Sequence, residues 1–593
     1  MRKSLSVLLL LALLLGLLSG CGAMPSGGDL GIRLQELSRG LTEPERSEPE
    51  ESREQEIQDG DMIPFPQIPY LRPDLNVLRA DVAAVRLSLA AGENYRVLSD
   101  LLDQCYADYF DFNTMYTLAD IRACQDMTDA YYAGEFAWCD ENASTVNQLM
   151  EELYYACGSS DMAQTLEERY FWEGFAQEYG DDGEITYDEE LVSLLRQESS
   201  LLARYHAMVS SPTIRLPDGT EADYNSYLAQ ADEDEYMDAM LLYYDSYNEP
   251  LSQLYIELVK VRRAMAEKLD FDSYEQMQYA YFFERDYGPE EAAAYVADIK
   301  RWMVPFYEEV MGRDPYAAVS YDLLSSRRLH SILRTGAENI GGQVLEAFDF
   351  MSDYELYDIE VSADKAAMSF QTYLDSYEAP FLFLDPVGDV EDVETYAHEF
   401  GHYVDAFVNY NASETIDVSE TFSQAMEYLI LGYLDGAVKD RELENLYRIK
   451  MLDTLELYVQ QASFAEFEQI VYSMDPEELT ADFLNELSLR LAVDYGYYDG
   501  YSRQYYAMSW MDITHFFESP FYVITYPVSN DIAMQIYELE QQEKGAGLDK
   551  YLEILPRDYE GFLATVEAGG LESPFAPGRI RKVVEDLRGH LSW

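Results

Sequence analysis

The sequence predicts a mainly α-helical protein with few strands. Apolar residues recur at steps of three and four: from Leu251 the series runs through Leu254, Tyr255, Leu258, Val261 and Met265, with Lys260, Arg262 and Arg263 between them. Extended candidates are few, chiefly 359–362 and 381–384, the latter preceded by Pro380 and followed by Asp385-Pro386. No self-similarity at a period of about 20–50 residues is present, which excludes a solenoid. With 593 residues, 48% of them hydrophobic, the chain can bury a large core, so a disordered or collagen-like polymer is excluded. Its 40 Lys+Arg against 112 Asp+Glu give a net charge of −72, which excludes nucleic-acid binding, since phosphate neutralisation needs clustered cations. The acidity reads as a solvated surface, or as a field that draws in cationic substrates or divalent ions.

The elements follow in chain order. Arg2 and Lys3 precede an apolar run over 5–18, and Leu18-Ser19-Gly20-Cys21 closes it. The run is short for a membrane span, and the tetrad resembles a bacterial lipobox, which implies that 1–21 is a signal peptide and that Cys21 becomes lipid-modified. The expected location is therefore outside the cell membrane, on its outer face, anchored by lipid. Residues 22–63, rich in Gly, Ser, Pro and Glu, cannot bury enough apolar surface to order themselves and read as an acidic tether. A helical N-terminal domain is expected over 64–204, with helical periodicity around 98–106 and 146–155. It contains Cys105, Cys124, Cys139 and Cys157: two disulfides with three possible pairings, or buried free thiols, structural either way. A second domain over 205–593 holds the helical series from Leu251 and another around 446–459. Most of the 51 Tyr are expected to turn their hydroxyls to water or a cleft.

The chemistry concentrates in Glu394-Thr-Tyr-Ala-His398-Glu399-Phe-Gly-His402. On a helix, residues four apart share a face, so His398 and His402 can present imidazole nitrogens to one metal ion while Glu399 addresses water beside it. In a chain with six His this HExxH spacing is a specific signal for one Zn2+ per chain. A third His at the short spacing of the HExxHxxGxxH class is absent, since 405 is Asp and 408 is Val. A carboxylate from a following helix is the remaining common solution. Asp417-Val-Ser-Glu420-Thr-Phe-Ser-Gln-Ala-Met-Glu427 places Glu420 and Glu427 two turns apart on one face, Glu420 as ligand and Glu427 as the acceptor that orients a ligating His.

These segments, with Ala379-Pro-Phe-Leu-Phe-Leu-Asp385, resemble the oligoendopeptidase F branch of the thimet oligopeptidase family of zinc metallopeptidases. The resemblance continues through Arg262-Arg-Ala-Met-Ala-Glu-Lys-Leu-Asp-Phe-Asp-Ser-Tyr274, Arg285-Asp-Tyr-Gly-Pro289, His515-Phe-Phe-Glu-Ser-Pro-Phe-Tyr522-Val-Ile-Thr-Tyr526 and Leu548-Asp-Lys-Tyr-Leu-Glu553. It spans about 205–575 with its motifs in order. It implies that His398, His402 and Glu420 bind zinc and that Glu399 is the general base. His515, Tyr522 and Tyr526 would line the opposite wall and donate hydrogen bonds to the substrate carbonyl and its developing oxyanion. The implied fold is a helical body of two halves around a deep substrate channel, with a small β-sheet at the active-site rim.

The implied activity is cleavage of internal bonds in short unfolded peptides by a monomer whose other partner is the membrane, through its lipid. Carboxypeptidase action by the same chemistry is a variant of this reading. A catalytically silent peptide-binding lipoprotein is the alternative, against which Glu399 speaks, because a binder has no use for a general base. A structural metal site, closed at every position, is a third reading. Two departures from relatives stand out: Lys365-Ala-Ala-Met-Ser-Phe-Gln-Thr372 replaces a glycine-rich strand, and the loop between His402 and Glu420 is short.

Overall fold

A computed structural model describes residues 62–591 except 173, 181–188, 211, 229–232, 363, 412–414, 501 and 557–560. The expected signal peptide 1–21, with Cys21, and all but the last two residues of the tether 22–63 lie outside the described residues. Asp74, Asn94 and Asp129 each stand one residue before a helix and accept the backbone N–H two residues on, at 3.0, 3.1 and 2.8 Å. These caps start α1 (Leu75–Ala91), α2 (Tyr95–Gln125) and α3 (Ala130–Gly158), and Gly92, at φ 68°, ends the first. The three helices bundle around a core of their own, built on Leu78, Val85, Leu102, Met150 and Tyr154. Cys105, Cys139 and Cys157 are buried in this bundle and Cys124 is half-buried; all four are free thiols, so the disulfide reading is not realised. The last turns of α2 leave the bundle, because Leu118 and Ile121 belong to the main core of the molecule.

Leu201 and Tyr205 of α4 (Glu189–Val209) also sit in the main core, so the expected boundary at 204/205 falls inside a helix. After the small antiparallel hairpin of β1 (Thr213–Arg215) and β2 (Glu221–Asp223), α5 (Glu233–Lys268) carries the periodic series, with Leu251, Leu254, Tyr255 and Leu258 fully buried. Arg262, one of the cations between those positions, is buried as well: its guanidinium meets Glu198 at 2.6 Å and the carbonyls of Phe516 and Phe517.

α6 (Ser326–Ile340) precedes a three-stranded sheet in the order β3 (Tyr357–Asp358), β5 (Ala379–Phe383), β4 (Phe370–Leu374), with β3 parallel and β4 antiparallel to β5. The central strand is buried at every residue, as expected of an apolar run covered on both faces. Two strand expectations are corrected. The first strand is Tyr357–Asp358 rather than 359–362: the Asp358 carbonyl still accepts the Leu384 backbone N–H at 2.8 Å, and beyond it the Glu360 carbonyl turns to Lys365 Nζ at 3.2 Å. The expected strand over 365–372 begins only at Phe370. The bundle meets this sheet through polar contacts: Asn113 Nδ2 donates to Asp375 at 2.9 Å, and Ser376 N to Thr114 at 2.8 Å.

Four helices complete the site's scaffold: α7 (Asp392–Asn409), α8 (Ile416–Leu431), α9 (Asp440–Ser473) and α10 (Thr525–Gln542). From Glu420 to its end α8 is buried at every residue, enclosed by α6, α7, α9 and α10. Tyrosines such as Tyr244, Tyr255, Tyr403 and Tyr458 are wholly buried, contrary to the expectation that most face water or a cleft. Among the described residues no helix is long and apolar enough to cross a membrane.

Candidate metal and catalytic site

The loop after β5 is turned into α7 by Asp392, whose carboxylate accepts the backbone N–H groups of Val387 and Gly388 at 2.8 and 2.9 Å. One helical turn apart on α7, His398 and His402 face α8. Gly401 lets the two helices approach: a Cβ there would stand 2.5 Å from the Ser423 Cα and 2.8 Å from the Phe422 carbonyl oxygen. That close approach brings Glu420 Oε2 to 3.6 Å from His398 Nε2 and 3.9 Å from His402 Nε2. The three side chains offer ligand atoms all within 4.8 Å of one another, which is the donor set of a metal site with two imidazoles and one carboxylate.

The other atoms of these side chains are held from behind. His398 Nδ1 lies 2.5 Å from Glu427 Oε1, and His402 Nδ1 lies 3.2 Å from Ser419 Oγ. Each contact fixes a ring so that Nε2 is the atom turned to the common point. Ser423 donates to Glu420 Oε2 at 3.1 Å, and Tyr522 donates to Glu420 Oε1 at 2.8 Å. Burial works against charge on His398, but the Glu427 hydrogen bond and charge outweigh it and hold the imidazole up at about 9. Burial alone would raise the Glu427 carboxyl; Lys450 and His398 outweigh it and keep that carboxyl below its usual range.

Glu399 is 2% exposed, and its Oε2 has no hydrogen-bond partner among the described residues. Burial, with Glu420 and Glu427 adding to it and His398 opposing, pushes its carboxyl up to about 8. A buried carboxyl with an unpartnered oxygen beside two imidazoles is suited to accept a proton from water near neutral pH.

Two buried arginines place the facing wall. Arg285 joins Asp417, near the start of α8, at 3.2 Å, and reaches the Phe521 carbonyl at 3.0 Å and Thr525 Oγ1 at 2.7 Å. It thereby locks the segment carrying Tyr522 against the ligand-bearing helix. Arg262, through the carbonyls of Phe516 and Phe517, pins the short helix Thr514–Glu518 that carries His515. His515 Nε2 lies 3.3 Å from the Tyr526 hydroxyl, and burial pushes its imidazole down to about 4, so the ring is neutral at ordinary pH. Of the three wall residues, Tyr522 thus has its hydroxyl on Glu420 rather than turned to a substrate, while His515 and Tyr526 form a pair.

The structure therefore brings together His398, His402, Glu420, Glu399, Glu427, His515, Tyr522 and Tyr526, while Cys21 lies outside the described residues. The remaining His are held elsewhere: His206 near Glu518 at 3.6 Å, His330 on the Tyr396 hydroxyl at 2.9 Å and His590 on Glu538 at 2.7 Å. Sequence reasoning missed Ser419, Ser423, Glu394 and Lys450. Glu394 stands one turn before His398 and could have been found by that spacing; Lys450 lies on α9 and carries no local signal.

Comparison with known families matches residues 65–177 to the peptidase M3 N-terminal domain and 355–557 to peptidase family M3. No curated protein matches the chain. Among solved structures, Pz peptidase A with an inhibitor is similar at 23% identity over 89% of this chain and 99% of that one, with a TM-score of 0.74. A protein described as oligoendopeptidase F gives the same four values. Another so described, from Bacillus anthracis str. Ames, gives 23% identity over 89% of this chain and 98% of that one, with a TM-score of 0.71. These likenesses show a shared helical fold along nearly the whole length of each relative.

Proposed function

Since this chain belongs to peptidase family M3 and acts on peptides as a peptidase, we propose that it is a zinc-dependent oligopeptidase that hydrolyses internal bonds of short, unfolded peptides. The observation that carries the reading is the convergence of His398, His402 and Glu420 beside the unpartnered Oε2 of Glu399. His398, His402 and Glu420 would hold a zinc ion, which when bound would supply a Lewis acid for the scissile carbonyl and ease the loss of a proton from water near neutrality. Glu399 Oε2 takes that proton and later delivers it to the leaving amine. Neutral His515 and the Tyr526 hydroxyl, facing the site from the other wall, donate hydrogen bonds as charge develops on the carbonyl oxygen. Tyr522 and Ser423 hold the Glu420 carboxylate, and Glu427 and Ser419 hold the two imidazoles. With His515, Tyr522, Tyr526 and Glu399 all buried, bulk water is kept from the reacting atoms.

The apolar run ending in Leu18-Ser19-Gly20-Cys21 and the acidic stretch behind it support export of the chain and its tethering by lipid at Cys21 on the outer face of a bacterial membrane. Residues 64–593, expressed with zinc and supplied with internally quenched peptides, test the enzymatic reading. The parent should cleave, Glu399→Gln should lower kcat about 10²–10⁴-fold while zinc stays bound, and products from end-blocked peptides should show internal cuts. A folded, zinc-loaded parent without activity, or Glu399→Gln with parental activity, would overturn it.

A further inference from the structure

We propose that Lys450 is a positioning residue for the metal site, acting through Glu427 on His398 and tying together the two helices that carry the ligands. Its side chain is 3% exposed, and the ammonium lies between two carboxylates, Glu394 Oε1 at 2.8 Å and Glu427 Oε2 in closer contact still. Glu394 stands on α7, one turn before His398; Glu427 stands on α8, two turns after Glu420. One cation from α9 therefore joins both ligand-bearing helices at a point behind the ligands. The second oxygen of Glu427 is the one that meets His398 Nδ1 at 2.5 Å, so Lys450, Glu427 and His398 form a continuous chain ending at the metal-facing Nε2.

Lys450 is itself held in place. Its ammonium stands over the Tyr428 ring, 4.5 Å from the centroid, and the Tyr428 hydroxyl is shared between Thr454 at 2.5 Å and Asn530 at 3.1 Å. The two carboxylates and Lys450 line a small cavity with Val390, Glu391, Leu446 and Ile449. A buried cation between two acids is not an economical way to stabilise a fold, because desolvation offsets much of the attraction and an apolar side chain often serves as well. What it does supply is fixed geometry. Without the ammonium, Glu394 and Glu427 face each other as like charges across the cavity, and Glu427 is driven from the position that orients His398.

The inference rests on the metal site proposed above, and the experiment separates the two: a folded parent that binds no zinc refutes the site itself, before any variant is compared. Zinc dissociation constants are measured by chelator competition on the parent, Lys450→Met, Glu427→Gln and the double variant, with Lys450→Arg as the conservative replacement. Lys450→Met should weaken zinc binding about 10–100-fold, Lys450→Arg should recover most of the loss, and the double variant should bind within about twofold of Glu427→Gln alone. Lys450→Met within about threefold of the parent, or losses that multiply in the double variant, overturns the proposal. Lys450→Gln, which keeps a hydrogen-bond donor in the cavity, stands in if Lys450→Met does not fold, with the same expected and refuting results. A chain that folds with neither substitution marks Lys450 as structural and overturns the proposal too.

Discussion

Gly401→Ala tests whether contact between α7 and α8 sets the metal site. The added Cβ would lie 2.5 Å from the Ser423 Cα, 2.8 Å from the Phe422 oxygen and 3.0 Å from the Met426 Cβ. Carbon atoms rest at about 3.5–4.0 Å, so the two backbones must part by about 1–1.5 Å. Both imidazoles ride on one helix and Glu420 on the other, with 3.6 and 3.9 Å now separating their ligand atoms, so the same retreat widens the donor set by a comparable amount. Overpacking of this kind costs about 1–3 kcal/mol, against which the helix preference of Ala over Gly returns about 1 kcal/mol. Gly336→Ala on α6 is the control: its Cβ would also come within 2.5 Å of an atom, but that atom is Ile430 Cδ1, the end of a side chain that can rotate away. Urea unfolding and zinc affinity are measured on both. Gly401→Ala should lose up to about 2 kcal/mol of stability and bind zinc at least tenfold more weakly, while Gly336→Ala should stay near the parent in both. Parental zinc affinity in Gly401→Ala, or equal losses at the two glycines, would refute the reasoning.

Two further outcomes are expected. Burial pushes the Asp512 carboxyl up to about 7, against an ordinary 3.8, with the Tyr244 hydroxyl opposing. The folded chain then holds a proton that the unfolded chain has already lost, so this contribution to stability is complete below about pH 4 and disappears as pH rises through about 7. Asp512→Asn should accordingly flatten the fall in Tm between pH 5 and pH 8 relative to the parent; an unchanged slope refutes the assignment. Cys21→Ser in the full chain should move the protein from the detergent-extracted membrane fraction to the soluble one, and persistence in the membrane pellet refutes the lipid anchor.

What the sequence revealed and what it hid divide along physical lines. His398, Glu399 and His402 were legible because a helix turns spacing into geometry, and Glu420 and Glu427 for the same reason at two turns. His515, Tyr522 and Tyr526 stood out only through family resemblance, since a chain with 51 Tyr offers no local reason to choose two. That Tyr522 donates to Glu420 depends on Arg285 linking two distant segments, a contact no spacing encodes. Lys450 was hidden because it approaches Glu427 from another helix, and a lysine in a helical pattern reads as solvent-facing; the burial of Arg262 was hidden on the same ground. Gly401 did carry a signal, since glycine inside a helix costs about 1 kcal/mol relative to alanine and needs a packing reason. The displaced first strand shows the limit of β patterning in short segments, where a buried lysine, Lys365, takes the Glu360 carbonyl just past the end of the ladder.

α2 runs through both hydrophobic cores, with Leu98 and Leu102 in the bundle and Leu118 and Ile121 in the main body, and that continuity has a mechanical consequence. At 1.5 Å per residue the helix is roughly 46 Å long, and its pivot lies near Ile121, where it enters the larger core. A tilt of about 5° there carries Leu98, some 35 Å away, through about 3 Å. The turn after β4, held to α2 at Asn113 and Thr114 about 10 Å from the pivot, moves through about 1 Å. The bundle is in this sense a lever: displacement at its far end reaches the strand at the rim of the site reduced about threefold, and force is multiplied by the same ratio.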